Sequence, residues 1–99
     1  MKIRIRSNSI RYRLSQTEVA TLWAEGTIED RTELSSKTFR YAIESADGDG
    51  LSADFRGDTI VLFMPRQMID LLHDTGKVGF SGNSGDVRLL VEKDFACMD

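Results

Sequence analysis

One cysteine, one proline and one histidine among 99 residues rule out several kinds of chemistry. A lone Cys97 forms no internal disulfide, so the chain is not a disulfide scaffold, and a reducing, cytoplasmic setting is expected. With His73 as the only histidine, no His/Cys cluster has zinc-ligand spacing. Pro65 as the only proline argues against linkers and long disordered stretches. No apolar run approaches the roughly 20 residues that cross a bilayer. The opening Met1-Lys2-Ile3-Arg4-Ile5-Arg6 is charged at alternate positions and lacks the apolar stretch of a signal peptide. No membrane contact and no cofactor are therefore expected.

Acidic residues are missing from the first fourteen positions, while Lys2, Arg4, Arg6, Arg11 and Arg13 place +5 there. Since the net charge is −3, the rest of the chain carries −8. The overall balance speaks against a general nucleic-acid binder, but the local excess marks a basic segment. An apolar fraction of 40% and a charged fraction of 29% are ordinary for a globular protein, and the length suits a single domain over 1–99.

Lys2–Arg6 and Ile10–Leu14 alternate charged and apolar residues, the period of a half-buried strand. Ser7-Asn8-Ser9 between them reads as a turn in which Asn8 takes positive φ, so the two strands form a hairpin. Ser15-Gln16-Thr17-Glu18 has the spacing of a capping box. Val19, Leu22 and Trp23 follow on one helical face, and Gly26 supplies a left-handed stop, which predicts a helix over 16–25. Thr27–Glu33 and Thr38–Ser45 read as strands, and Asp47-Gly48-Asp49-Gly50 as a tight turn. Leu51–Arg56 and Thr59–Met64 form a second hairpin around Gly57-Asp58. Pro65 opens a second helix that Gly76 ends, with Met68, Ile69, Leu71 and Leu72 inward. Lys77–Ser81 is predicted as a strand, Gly82-Asn83-Ser84-Gly85 as a turn, and Val87–Phe95 as the last strand.

The two halves share a pattern. Laid without a gap on Ala53–Val78, Ile3–Ile28 matches Ile5 with Phe55, Ile10 with Ile60, Tyr12 with Leu62 and Leu14 with Met64. Val19 then meets Ile69, Leu22 meets Leu72, Gly26 meets Gly76 and Ile28 meets Val78. The expectation is an α+β fold of two pseudo-symmetric ββαββ repeats, 2–45 and 52–95, forming one curved or barrel-like, mostly antiparallel sheet with two short helices.

Most candidate sites dissolve on inspection. An EF-hand loop aligned on the glycines of Asp47–Gly50 would end at Arg56, where calcium needs a carboxylate. His73 stands where the first half has Trp23 and reads as a partly buried structural residue, and Cys97 as an inert thiol rather than a nucleophile. The glycines at 79, 82 and 85 fit turns and bends. One constellation survives. Arg4, Arg6, Arg11 and Arg13 project from one face of the first hairpin and suit a phosphate or carboxylate, with Glu92, Lys93 and Asp94 of the last strand as rim residues. If the sheet curls, Glu29, Glu33, Glu44 and Asp54 would line the same groove.

The opening Lys2-Ile3-Arg4-Ile5-Arg6, Asn8-Ser9-Ile10-Arg11-Tyr12-Arg13-Leu14 and Glu18-Val19 resembles that of a family of small uncharacterised bacterial proteins. So does the ending Leu89-Leu90-Val91-Glu92-Lys93-Asp94-Phe95-Ala96-Cys97-Met98-Asp99, so the resemblance spans the whole chain. It implies a bacterial, cytosolic protein, carries no assigned activity, and implies chains that continue past Cys97. A second, architectural resemblance is to triphosphate-tunnel enzymes, which open with Glu-x-Glu-x-Lys; Lys2-x-Arg4-x-Arg6 stands there instead. The leading expectation is a binding module for a small anion or an acidic partner segment. The alternative is a structural homodimer pairing through Thr27–Glu33 or Val87–Phe95. A phosphohydrolase comes last.

Overall fold

A computed structural model describes residues 1–94. In chain order it contains β1 (Lys2–Arg6), β2 (Ser9–Leu14), α1 (Gln16–Glu25), β3 (Thr27–Glu33) and β4 (Thr38–Ala46). Then come β5 (Ser52–Arg56), β6 (Thr59–Pro65), α2 (Arg66–Asp74), β7 (Gly79–Ser84) and β8 (Val87–Lys93). The strands form two four-stranded sheets: sheet A in the order β1-β2-β8-β7 and sheet B in the order β3-β4-β6-β5. Each is mixed, because β2–β8 and β4–β6 are parallel while the hairpin pairs are antiparallel.

The expected single curved or barrel-like sheet is therefore corrected to two separate sheets. The reason is long-range. Each sheet takes one hairpin from each half of the chain, and the parallel joins leave β5 and β7 as facing edges that do not form a ladder. The Ser84 hydroxyl spans that seam, accepting from the Ala53 N–H at 3.2 Å and donating to the Ala53 carbonyl at 3.3 Å. Exchanging β1 with β5, β2 with β6, β3 with β7 and β4 with β8 turns the strand order of one sheet into that of the other.

The ungapped overlay of the halves holds through the second helix and then slips. α1 passes to β3 through Gly26 alone, which caps the helix at φ 77°. α2 is followed by the longer link 75–78, and its cap is Thr75, whose N–H and hydroxyl both donate to the Leu71 carbonyl. Gly76 is thus not a left-handed stop. Phe80 takes the position of Ile28: Ile28 pairs with Ile43, and Phe80 with Val91. Val78, the residue matched to Ile28 in the overlay, is exposed.

The capping box at α1 is present in full. The Glu18 N–H donates to Ser15 Oγ at 3.2 Å, and the Ser15 N–H to Glu18 Oε1 at 3.0 Å. In the β1–β2 turn it is Ser7, not Asn8, that takes positive φ, at 51°. Its counterpart Gly57 has φ 63°. The turn expected at Gly82-Asn83-Ser84-Gly85 is strand as far as Ser84, and the chain reverses at Gly85-Asp86. Gly82 is small for packing instead, since a Cβ there would sit 3.4 Å from the Leu51 side chain.

The core lies between the sheets and under the helices. Ile10, Tyr12, Leu14, Leu89 and Val91 come from sheet A, Ile28, Ile43, Ile60, Leu62 and Met64 from sheet B, and Val19, Leu22, Ile69 and Leu72 from the helices. Leu71, expected inward on α2, is 46% exposed. With the inner rows of β1, β2 and β8 committed to that core, alternation turns the charged residues of β1 and β2, and Arg88 and Glu92 of β8, outward.

Candidate functional site

The outer face of sheet A gathers the cations foreseen in the sequence. Register sets Arg4 opposite Arg11, Lys2 opposite Arg13 and Arg6 opposite Ser9. On its other side Ser9 is beside Arg88 of β8, and Arg13 is beside Glu92. Arg88 escaped the sequence reading because only the parallel β2–β8 join brings it to this face; its outward position in the alternation of β8 was the one available signal.

Acids hold one end of the face together. Glu92 accepts from Arg11 Nε at 2.5 Å and lies 3.8 Å from Arg13 Nε. Asp94 is 3.1 Å from Lys2 Nζ and 4.0 Å from Arg13. Glu92 and Asp94 thus lie beside the cations of this face. Lys93 has the opposite parity, and its ammonium donates to the Thr75 carbonyl at 3.0 Å. It is not brought to the site. Among the described residues Arg4, Arg6 and Arg88 enter no ion pair. A shallow groove of about 210 Å³ runs between Lys2, Ile3, Arg4, Arg11 and Arg13.

Sheet B presents the same strand plan with a different charge balance. Arg56 forms a two-point pair with Glu44, Arg40 lies 3.8 Å from Glu29, and Arg31 lies 3.7 Å from Glu33. Asp54 accepts from the Phe55 N–H at 2.8 Å. The hydrogen bonds from Arg56 hold the Glu44 carboxyl below its ordinary pKa; burial opposes them, and the guanidinium charge adds a smaller lowering effect. These are the acids expected to share a groove with the arginines of the first hairpin; they lie instead on the other sheet, because the sheet does not curl into one surface. The contrast isolates the feature of interest: one face whose guanidinium groups are matched, and one where several are not.

Elsewhere, the His73 ring stacks on Trp23 with centroids 4.1 Å apart and planes 5° apart, and its Nδ1 is 2.5 Å from Asp74 Oδ1. The two residues that the halves place at equivalent positions meet between the helices. Among the described residues no group of three or more His, Cys, Asp or Glu side chains is placed to hold a metal ion, and no helix is long and apolar enough to cross a membrane. The sequence readings of Phe95 and Cys97 lie outside the described residues.

Fold and face together define an α+β protein of two mixed four-stranded sheets, one of which carries an unbalanced cationic surface. The chain belongs to a family of unknown function, DUF7009, whose profile covers residues 1–99. No curated protein and no solved structure matches it.

Proposed function

We propose that the protein is a binding module whose contact surface is the outer face of sheet A and whose partner is anionic. The observation that carries this reading is the charge imbalance between two faces built on one plan. On sheet B, Arg31, Arg40 and Arg56 each have an acid. On sheet A, Arg4 stands across from Arg11 as Arg31 stands across from Arg40 on sheet B, but neither Arg4 nor Arg6 has an ion pair among the described residues. Like charges set opposite each other on neighbouring strands are destabilising, so a face that keeps them gains from a ligand that neutralises them. Arginine offers that ligand, a carboxylate or phosphate, two parallel donors.

The outer positions of β1, β2 and β8 are Lys2, Arg4, Arg6, Ser9, Arg11, Arg13, Arg88, Leu90 and Glu92. No aromatic ring stands among them to stack a base, which favours an acidic protein segment or small anion over a nucleic acid. The homodimer reading keeps β3, an edge of sheet B, and loses β8, which lies inside sheet A between β2 and β7. The tunnel-enzyme reading loses its architecture, since the strands form two open sheets.

The test is thermal unfolding against a panel of anions and acidic peptides at two ionic strengths. A ligand at a hundredfold excess over its Kd adds about 2.7 kcal/mol to the native state. Arg4→Ala/Arg6→Ala is the informative variant, because removing Arg11 would also strand Glu92. A selective, salt-sensitive shift that this variant abolishes supports the reading. Shifts that the variant leaves unchanged overturn it.

A further inference from the structure

Resting on that reading, we infer that the anionic partner is an extended acidic protein segment that adds to β1 as a fifth, antiparallel strand of sheet A. β1 is an edge strand, packed on β2 alone within its sheet. A two-residue turn closes the β1–β2 hairpin at the pair Arg6–Ser9. The closing pair of such a turn is hydrogen-bonded, and bonded pairs alternate with open ones along an antiparallel ladder. Counting back from Arg6, the N–H and C=O groups of Arg6, Arg4 and Lys2 serve β2. Those of Ile5 and Ile3 point away from β2, and among the described residues they bond to no other backbone.

The side chains of the same strand specify what that backbone carries. Lys2, Arg4 and Arg6 form a straight cationic row on the outer face, with same-face side chains at intervals of about 6.7 Å. Carboxylates at every second residue of an added strand have that same interval. On the inner face Ile5 is 55% exposed, so an apolar side chain opposite it would cover surface now in water. The recognised pattern is therefore alternating acid and aliphatic, with acids over the arginines and an aliphatic residue against Ile5. A small anion would use the charges and leave the backbone edge and Ile5 unused. A second copy of β1 is repelled, because self-pairing would set this cationic row against another one; the same charges that deter self-association select an acidic strand.

The experiment titrates isotope-labelled protein with a short synthetic peptide alternating glutamate and valine, followed by amide chemical shifts and hydrogen exchange. Three further peptides serve as comparisons: one with the same residues in two blocks, one N-methylated at the valines and one N-methylated at the glutamates. Strand addition predicts slowed exchange at the Ile3 and Ile5 amides. It also predicts that methylating the valines, whose N–H groups would face β1, weakens binding about tenfold or more. Methylating the glutamates, whose N–H groups would face solvent, leaves binding nearly intact. Equal binding of all four peptides, weakened by Arg4→Ala/Arg6→Ala but without protection of Ile3 and Ile5, overturns strand addition and leaves the anionic-partner reading standing. Binding that does not respond to Arg4→Ala/Arg6→Ala, or no binding by any acidic peptide or anion, overturns both.

Discussion

Tyr12→Phe should stabilise this protein, against the usual direction of a core substitution. Tyr12 has no exposed surface, sits between Ile3 and Val91 in sheet A, and among the described residues its hydroxyl has no hydrogen-bond partner. A buried polar group left without a partner costs about 1–3 kcal/mol. Deleting one oxygen opens a void of about 10–15 Å³, a penalty near 0.3 kcal/mol at about 24 cal/mol per Å³. The net gain is about 1 kcal/mol, and for a domain of this size that raises Tm by about 4–8 °C. Burial also pushes the phenol from its ordinary 10.0 up to about 12. The unfolded chain loses its phenolic proton first, so above the ordinary value the native state binds more protons and stability falls as pH rises. Each unit within that window removes about 1.4 kcal/mol from the wild type and nothing from the phenylalanine variant. Urea unfolding followed by Trp23 fluorescence, at neutral pH and at several points from about pH 9 to 11, should show an advantage for the variant that widens with alkalinity. A variant less stable than wild type, or an advantage that does not change with pH, would mean that the hydroxyl is hydrogen-bonded in solution and would refute the reasoning.

Three other outcomes follow from single residues. Ser7 holds the positive φ that Gly57 holds in the second hairpin. Ser7→Gly removes a strain of about 1–2 kcal/mol, offset in part by the added freedom of the unfolded glycine, and denaturant melts should show a gain of up to about 1 kcal/mol. A Cβ at Gly79 would lie 2.4 Å from the Val91 carbonyl oxygen, so Gly79→Ala should destabilise by about 1–3 kcal/mol; equal midpoints would show that the backbone yields freely there. Because Arg56 lowers the Glu44 pKa, the pair supports the fold above the ordinary carboxylate range, and that support fades as pH falls through the native value. Glu44→Gln should therefore flatten the acid limb of a Tm-against-pH curve.

What the sequence announced was local, and what it withheld was long-range. The helix at 16–25 was legible because Ser15, Glu18 and Gly26 signal to residues within four positions. The arginine face was legible because alternation decides which side chains share a side, whatever the partner strand. The same parity should have excluded Lys93, which alternates away from Glu92 and Asp94. Sheet membership was not legible. Ser9 pairs with Arg88, and Arg40 with Thr59, in parallel joins that leave no mark in the neighbourhood of either residue. Arg88 was missed for that reason, and two sheets were read as one. The turn was misplaced at Gly82 because a glycine that makes room for Leu51 reads in sequence like a glycine that bends the chain.

The exchange of hairpins between sheets also shapes how the chain must come together in time. During synthesis the β1–β2 hairpin emerges first, with Ile10, Tyr12 and Leu14 along one side, yet its parallel neighbour is β8, the last strand of the described chain. Sheet B has all four of its strands once β6 has emerged, whereas the hairpin that bears the cationic face gains its central neighbour only when residues 87–93 arrive. Contacts that close so much intervening chain form slowly, and there is an interval of synthesis in which all four strands of one sheet have emerged while the other has only its first hairpin. A translation pause placed before Val87 would lengthen that interval, and it would leave the proposed binding edge on a sheet not yet assembled.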